Sequence, residues 1–190
     1  MIITSNGIPL PFKNIDTDQI IPAAFLKLTT KEGYGKYLFY NWRYLEDEKL
    51  NYDFVLNQVI YKSAQILIVG NNFGCGSSRE HAAWALADYG IKVIISTQVA
   101  DIHKENAYNN GIIPIELSKN EVDKLMEMTE NFPECEIIVD LNSQTVTALK
   151  INLKTSFKIN SIKKDCLLNG LNETQFLMKY IPEIQTYETK

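Results

Sequence analysis

The chain is poor in cysteine and in arginine. Its 190 residues include three cysteines and only two arginines, so seventeen of the nineteen basic residues are lysines. The cysteines, Cys75, Cys135 and Cys166, are far apart, odd in number and form no Cys-x-x-Cys pair. This spacing predicts reduced thiols, and it indicates neither a disulfide framework nor a metal held by this chain alone.

Long apolar runs and blocks of positive charge are also missing. No run approaches the ~20 apolar residues that span a bilayer, and no basic segment precedes an apolar one at the N-terminus. The formal net charge is -4, and the lysines are scattered along the chain, which argues against a nucleic-acid surface. We therefore expect a cytoplasmic protein that binds neither nucleic acid nor membrane.

What the chain does have is a strand, turn, helix and strand pattern in residues 66–95. Ile66–Val69 and residues 93–95 are short aliphatic runs, typical of strands that are covered on both faces. Between them, residues 82–87 are mostly strong helix formers, and Gly90 is the kind of residue that ends a helix. The pattern predicts a βαβ unit.

The turn of this unit has the features of an anion site. Ser77 and Glu80 have the spacing of a capping box, which predicts that the helix begins near Ser78. Gly74 and Gly76 leave the preceding turn without side chains, so its amides can approach an anion closely. We expect a carboxylate or a phosphate to bind there.

A carboxylate is the better prediction. The glycines form neither the dinucleotide-binding pattern nor a phosphate-binding loop with its lysine. Ser77 and Ser78 add two hydroxyls, and Arg79 adds a planar group that can bind a carboxylate through two hydrogen bonds. The alternative is that Ser77 is only a helix cap and that Arg79 and His81 are surface residues.

Two motifs resemble one family. Residues 72–82 read Asn-Phe-Gly-Cys-Gly-Ser-Ser-Arg-Glu-His-Ala, and residues 14–22 read Asn-Ile-Asp-Thr-Asp-Gln-Ile-Ile-Pro. Both resemble hallmarks of the small subunits of 3-isopropylmalate dehydratase, within the aconitase superfamily. The likeness extends from residue 6 to about residue 188.

The resemblance implies an α/β fold, a swivelling β/β/α domain with a central βαβ unit and a mixed, barrel-like sheet flanked by helices, formed by residues 1–190 as a single domain. It implies isomerisation of 2-isopropylmalate to 3-isopropylmalate, by loss and re-addition of water, in leucine biosynthesis. The implied partner is a large subunit, in a heterodimer or higher assembly, that carries a [4Fe-4S] cluster as the Lewis acid. We expect no cofactor in this chain and no activity without the partner, because its cysteines cannot supply a cluster at a plausible spacing.

The resemblance also assigns roles to residues. Ser77 is the implied catalytic base, an alkoxide held by nearby amides, the helix end and Arg79. Ser78 and Arg79 are then substrate-binding residues that hold a carboxylate. Thr17 and Asp18 border the active site in the superfamily and are further candidates for substrate binding, although their residue types alone indicate only a turn and a helix cap.

Residues 23–36, which we expect to form a loop or short helices, bear on the choice of substrate. Related enzymes use this region to recognise the substituent that distinguishes their substrates, and aconitase-like relatives place an arginine there to bind an extra carboxylate. This chain has no arginine between residues 14 and 36, so an apolar branch would leave no buried cation unpaired. That favours isopropylmalate over citrate. A homoaconitase or citraconate hydratase type of small subunit, and a non-catalytic anion-binding module, remain alternatives.

Several expectations concern the rest of the chain. His103 stands where the family often has phenylalanine, and we interpret it as structural or peripheral. The aromatic residues of 37–44 are expected in the core. We expect an edge strand at 1–3, broken soon after by glycine and proline, a strand at 112–115, a hairpin of 136–140 with 144–148, a strand at 154–158, and helices at 121–128 and 173–180.

Overall fold

The computed structural model describes residues 1–27 and 30–189. Its centre is one mixed sheet with the strand order β4-β3-β2-β1-β5-β6-β7. The strands are β1 (Ile2–Leu10), β2 (Ile66–Val69), β3 (Val93–Ser96), β4 (Ile113–Glu116), β5 (Glu136–Asp140), β6 (Thr145–Ala148) and β7 (Leu153–Ser156). Strands β1 to β4 run parallel, and β5 to β7 pair antiparallel. The expected α/β class with a mixed sheet is confirmed.

Helices occupy both faces of this sheet. They are α1 (Thr17–Ile20), α2 (Tyr40–Arg43), α3 (Glu80–Tyr89), α4 (Asp101–Asn109), α5 (Lys119–Asn131), α6 (Ser161–Asn169), α7 (Glu173–Met178) and α8 (Ile181–Glu188). Short 3-10 helices lie at Ala23–Phe25, Gly35–Tyr37, Val55–Asn57, Val59–Tyr61 and Leu149–Ile151. Within residues 1–27 and 30–189, no helix is long and apolar enough to cross a membrane.

The βαβ unit forms as predicted from β2, α3 and β3. Side chains of β2 alternate between two apolar cores: Leu67 faces the core under α3, and Ile68 faces the core under α5. Every residue of β2 and β3 is buried, which explains why both strands are continuous apolar runs. Gly90 ends α3 in the left-handed conformation, with φ of 109°.

The predicted start of α3 is wrong by two residues. The helix begins at Glu80 with Arg79 as its N-cap residue, and no side chain caps it. Ser77 lies two residues before this N-cap, and its carbonyl accepts a hydrogen bond from the Thr17 hydroxyl at 2.7 Å, so Ser77 belongs to the preceding turn. The capping-box spacing of Ser77 and Glu80 is therefore coincidental.

The same spacing at Ser118 and Glu121 is a true capping box. The Ser118 side chain accepts from the amide of Glu121, and the Glu121 carboxylate accepts from the Ser118 amide at 2.9 Å. Helix α5 runs from Lys119 to Asn131, longer than the expected 121–128. Its apolar face covers the second core of the sheet.

The expectation for the N-terminus is wrong. Strand β1 runs from Ile2 to Leu10 in the middle of the sheet, between β2 and β5. Pro9 is tolerated because β5 pairs only with residues 2–6 of β1, which leaves one side of residues 7–10 without a strand partner. A proline that lacks an amide hydrogen does no harm on such a side.

The aromatic segment around α2 packs in the core, as expected. Phe39 is fully buried, and Trp42 stacks on it with ring centroids 5.4 Å apart. The predicted hairpin of β5 and β6 is also confirmed. Helix α8 was not anticipated, because the last helix was expected to end at residue 180. Pro182 lies in the first turn of α8, where the missing amide hydrogen is not needed.

Ser118, which caps a helix, and Ser77, which has the same spacing but caps none, allow a matched test of stability. Ser118→Ala should lower the free energy of unfolding by about 1 kcal/mol, because it removes a helix cap. Ser77→Ala should change it by less than about 0.5 kcal/mol, because no cap is lost. Urea unfolding of the purified chain measures both, and equal losses would show that Ser77 does cap α3.

Candidate functional site

The turn after β2 is built on residues with left-handed backbone conformations. Gly74 and Gly76 have φ of 74° and 86°. A side chain at Gly74 is also excluded by space, since its Cβ would lie 2.3 Å from Cγ of His103. The Gly74 amide donates to the carbonyl of Ile15 at 2.7 Å. The glycines therefore serve both the shape of the turn and its close packing on the neighbouring elements.

Helix α1 holds this turn in place. The Thr17 amide donates to the carbonyl of Cys75 at 3.0 Å, and the buried Thr17 hydroxyl donates to the carbonyl of Ser77 at 2.7 Å. Asp16 caps α1 through a capping box with Gln19. The two sequence motifs thus meet in space, and Thr17 is a support of the turn. Its role in substrate binding stays a prediction.

Free hydrogen-bond donors collect at the same place. Within the described part of the chain, the amides of Gly76, Ser77 and Ser78 donate to no acceptor. Both serines are exposed, and their hydroxyls make no hydrogen bond to a described residue. The positive end of α3 begins directly afterwards at Glu80. Such an arrangement binds anions.

Arg79 lies beside this turn and is oriented by a carboxylate. Its Nη1 forms an ion pair with Oδ1 of Asp18, the second residue of α1. The Arg79 side chain is only 17% exposed, whereas that of Asp18 is 56% exposed. The pair leaves part of the guanidinium for a ligand and gives Asp18 a partner within the chain. Binding of substrate by Asp18 and Arg79 stays a prediction.

A cavity of about 270 Å³ opens next to the turn. Thr17, Ser78 and Arg79 contribute to its wall together with the two turn glycines. The rest of the wall belongs to α4 and the residue before it: Ala100, Asp101, Ile102, His103 and Asn106. Three of the five predicted site residues therefore share one cavity, with Ser77 exposed on the turn and Asp18 paired with Arg79.

The contribution of α4 was missed from the sequence. Strands β2 and β3 are parallel, so the turn after β2 and the start of α4 after β3 leave the sheet at the same edge. The Ala100 amide donates to the carbonyl of Phe73 at 2.9 Å and fixes this contact. The segment that follows β3 could have indicated this contribution, because ligand-binding sites commonly form at the carboxyl ends of parallel strands.

His103 is the least expected wall residue. It is 2% exposed, its ring packs edge-on against Phe73 with centroids 5.2 Å apart, and neither ring nitrogen has a hydrogen-bond partner among the described residues. Burial lowers the pKa of His103 from 6.5 to about 4. The ring is buried and belongs to the cavity wall, so His103 is not peripheral, and its structural role stays a prediction.

Residues 23–36 pack against α3, apart from positions 28 and 29, which lie outside the described residues. Tyr34 is fully buried and contacts the rings of His81 and Trp84, at 5.5 and 5.6 Å between centroids. The Gly35 amide donates to the carboxylate of Asp88 at 2.7 Å. The short 3-10 helices agree with the expected loop, and they place it on the helix that follows Arg79.

Nothing in this site suits a metal. Residues 1–27 and 30–189 contain no group of three or more histidine, cysteine, aspartate or glutamate side chains that could hold an ion. Cys75, Cys135 and Cys166 are all free. Burial raises the pKa of Cys75, the cysteine within the turn, which makes its thiol a weaker ligand and nucleophile.

Comparison with known proteins agrees with this architecture. The sequence profile of the aconitase C-terminal domain matches residues 3–120, from β1 to the first turn of α5. A protein with this sheet, this glycine turn and this match is of the aconitase type.

The relatives narrow the family further. The 3-isopropylmalate dehydratase small subunit of Cytophaga hutchinsonii is 47% identical over 186 residues, which cover 98% of this chain and 92% of that protein. The one from Karelsulcia muelleri is 47% identical, with 98% and 94% covered. A crystal structure of 3-isopropylmalate dehydratase from Methanocaldococcus jannaschii superposes with a TM-score of 0.68 at 26% identity, over 99% of both chains. The chain belongs to the family of 3-isopropylmalate dehydratase small subunits.

Burial of neutral His103 predicts a loss of stability in acid. Below pH 6.5 the unfolded chain takes up a proton at this histidine, whereas the folded chain does so only near pH 4. Unfolding is therefore favoured as the pH falls through this window, by about 2 kcal/mol between pH 7 and pH 5. Urea unfolding of the wild type and of His103→Phe at both pH values should show this extra loss in the wild type alone, and parallel losses would contradict it.

Proposed function

We propose that this chain is the small subunit of a cytoplasmic 3-isopropylmalate dehydratase, with residues 1–190 acting as one swivel-type domain. With a large subunit, in a heterodimer or a higher assembly, it isomerises 2-isopropylmalate to 3-isopropylmalate by removing and re-adding water in leucine biosynthesis. One observation carries the proposal: Thr17 joins the two family motifs at a turn with free amides, directly beside Arg79. The identity of 47% to named small subunits supports it.

The substrate is a hydroxy-dicarboxylate, and this chain binds one of its carboxylates. Ser78 and Arg79 line the same cavity, and the free amides of the turn add further donors. An arginine that is already held by Asp18 loses less conformational freedom when the ligand binds. Charge-assisted hydrogen bonds from the guanidinium then fix the orientation of the carboxylate.

Ser77 is the proposed base. The reaction needs a group that removes a proton from the carbon next to a carboxylate, and the Ser77 hydroxyl is exposed on the turn with no hydrogen bond to a described residue. A free serine is far too weak an acid to act as an alkoxide. The unpaired amides of the turn and the positive end of α3 supply the stabilisation that an alkoxide requires.

The [4Fe-4S] cluster that the family implies does not suit this chain. Its three cysteines are dispersed, and the described residues offer no metal-binding group. We therefore assign the cluster to the large subunit, where it would supply Lewis-acid chemistry at the departing hydroxyl. The part of this chain is to bind the carboxylate and to move the proton.

The apolar branch of isopropylmalate suits the surroundings of the site. The described part of residues 14–36 contains aromatic and aliphatic side chains near α3, and no arginine occurs in this segment. A substrate with a third carboxylate would find no guanidinium there. This composition favours isopropylmalate over the longer tricarboxylates.

Reconstitution with the large subunit tests the function and the base together. The assembled wild type should convert 2-isopropylmalate to 3-isopropylmalate, while this chain alone should be inactive and free of iron. Ser77→Ala should lower kcat by about 100-fold to 10,000-fold, because a general base is lost. The thermal midpoint, the stoichiometry of assembly and the iron content serve as controls.

Two outcomes would contradict these assignments. A wild-type assembly that turns over citraconate or homoaconitate but not isopropylmalate would move the chain to a related hydro-lyase. A Ser77→Ala enzyme within a few-fold of the wild type would remove Ser77 from the role of base. Asp18 would then be the next residue to change.

Arg79→Lys should weaken substrate binding by about 2 kcal/mol or more, seen as a rise in KM of about 30-fold. A lysine ammonium keeps the charge but cannot form two parallel hydrogen bonds with one carboxylate. Asp18→Asn should raise KM by a smaller factor, because the guanidinium loses the carboxylate that orients it.

Asp47→Asn is the matched control, since the Asp47 carboxylate pairs with Lys49 and not with Arg79. An unchanged KM in Arg79→Lys would make Arg79 a surface residue. A fall in KM in Asp18→Asn would show that Asp18 competes with the substrate for the guanidinium.

A further inference from the structure

His103 is buried without satisfying its polar atoms. Neither ring nitrogen finds a hydrogen-bond partner among the described residues, although the residue is only 2% exposed. Leaving a buried donor or acceptor unpaired lowers the stability of the folded chain. A buried polar group without a partner therefore calls for an explanation.

Packing alone does not supply one. The ring fills the space beside Gly74 and meets Phe73 edge-on, which an apolar ring of similar size would do without any unpaired nitrogen. Among the residues that the structure describes, no acidic side chain pairs with the ring, and burial keeps the pKa of His103 at about 4. At neutral pH the ring is uncharged and carries one N–H donor and one acceptor.

The place of the ring points to the missing partner. His103 lines the same cavity as Ser78 and Arg79, the two residues assigned to the substrate carboxylate. It packs closely on Gly74, where a Cβ would lie 2.3 Å from Cγ of His103, so the glycine makes room for the ring beside the turn. An oxygen atom of a ligand bound in this cavity could therefore form a hydrogen bond with a ring nitrogen of His103.

We propose that His103 is a further substrate-binding residue: in the loaded cavity its ring turns about the Cβ–Cγ bond and donates one N–H to an oxygen of the hydroxy-dicarboxylate. This inference rests on the proposed function and names a residue of the same site. A neutral donor suits the position, because Arg79 already supplies a cation at this cavity and burial disfavours a charged imidazole ring. The stability lost in the free chain is recovered when the ligand is bound.

The test compares three variants of the assembled enzyme. His103→Phe keeps an aromatic ring and removes both nitrogens, so its thermal midpoint should equal or exceed that of the wild type. Its KM for 2-isopropylmalate should rise about tenfold, with kcat changed less than about threefold. His103→Gln restores an N–H donor and should return KM most of the way to the wild-type value.

Tyr108→Phe is the matched control, because Tyr108 lies on α4 outside this cavity and loses one polar atom. It should leave KM unchanged. A structural role alone would shift the midpoint of His103→Phe without the selective rise in KM and without rescue by glutamine. A KM for His103→Phe within twofold of the wild type overturns the proposal.

Calorimetry separates this inference from the proposed function. If the wild-type assembly binds 2-isopropylmalate but does not isomerise it, the proposed function fails, and His103→Phe must still bind about tenfold more weakly than the wild type. Equal affinities would overturn the role of His103 alone. No binding to the wild type would overturn both.

Discussion

The site depends on two hydrogen bonds that Thr17 donates to the turn after β2. The Thr17 amide and hydroxyl donate to the carbonyls of Cys75 and Ser77, 58 and 60 residues further along the chain. They are possible because β1 and β2 are adjacent parallel strands, so α1 and the turn leave the sheet at the same edge. Together with the hydrogen bond from the Gly74 amide to the carbonyl of Ile15, this contact keeps Asp18 beside Arg79. The sheet topology therefore brings α1 and the turn after β2 together, and the hydrogen bonds of Thr17 fix how they contact each other.

The same turn concentrates features that lower stability. It contains three residues with positive φ, Asn72, Gly74 and Gly76, and amides without acceptors, and it lies against the unpaired ring of His103. Such features persist only where the surrounding structure holds them, here α1 on one side and α4 on the other. The anion site proposed at this turn would give a physical reason for their coexistence. The ion pair of Asp18 with Arg79 offsets part of the positive charge while no ligand is present.

Much of the fold could be predicted from local patterns. The continuous apolar runs of β2 and β3, the glycine after α3 and the capping box at Ser118 each have one dominant physical meaning. The wrong predictions of local structure concern residues whose role depends on tertiary contacts. Ser77 has cap spacing, but its carbonyl is already used by Thr17, and Pro9 looks like a breaker, but the strand has no partner on its far side there.

For the site, the sequence could predict the turn and its chemistry but not the opposite wall. Ser78 and Arg79 follow Gly76 within three residues, so they could be placed beside the turn without knowledge of the fold. His103 and Asn106 are about 30 residues away, and only the parallel pairing of β2 with β3 brings α4 to the cavity. The unpaired state of the His103 nitrogens is likewise a property of packing, which no local pattern contains.

Exposure of Ser77 and Ser78 sets a condition on the chemistry. An alkoxide at an open surface would be protonated by water, because the donors that stabilise it are weakened there by the high dielectric constant. The free amides of the turn become effective only when another surface excludes water from the cavity. In the proposed assembly the large subunit provides that surface. Under this proposal the chain alone carries Ser77 as a latent base, and the docking that would bring the Lewis acid to the substrate would also make Ser77 basic.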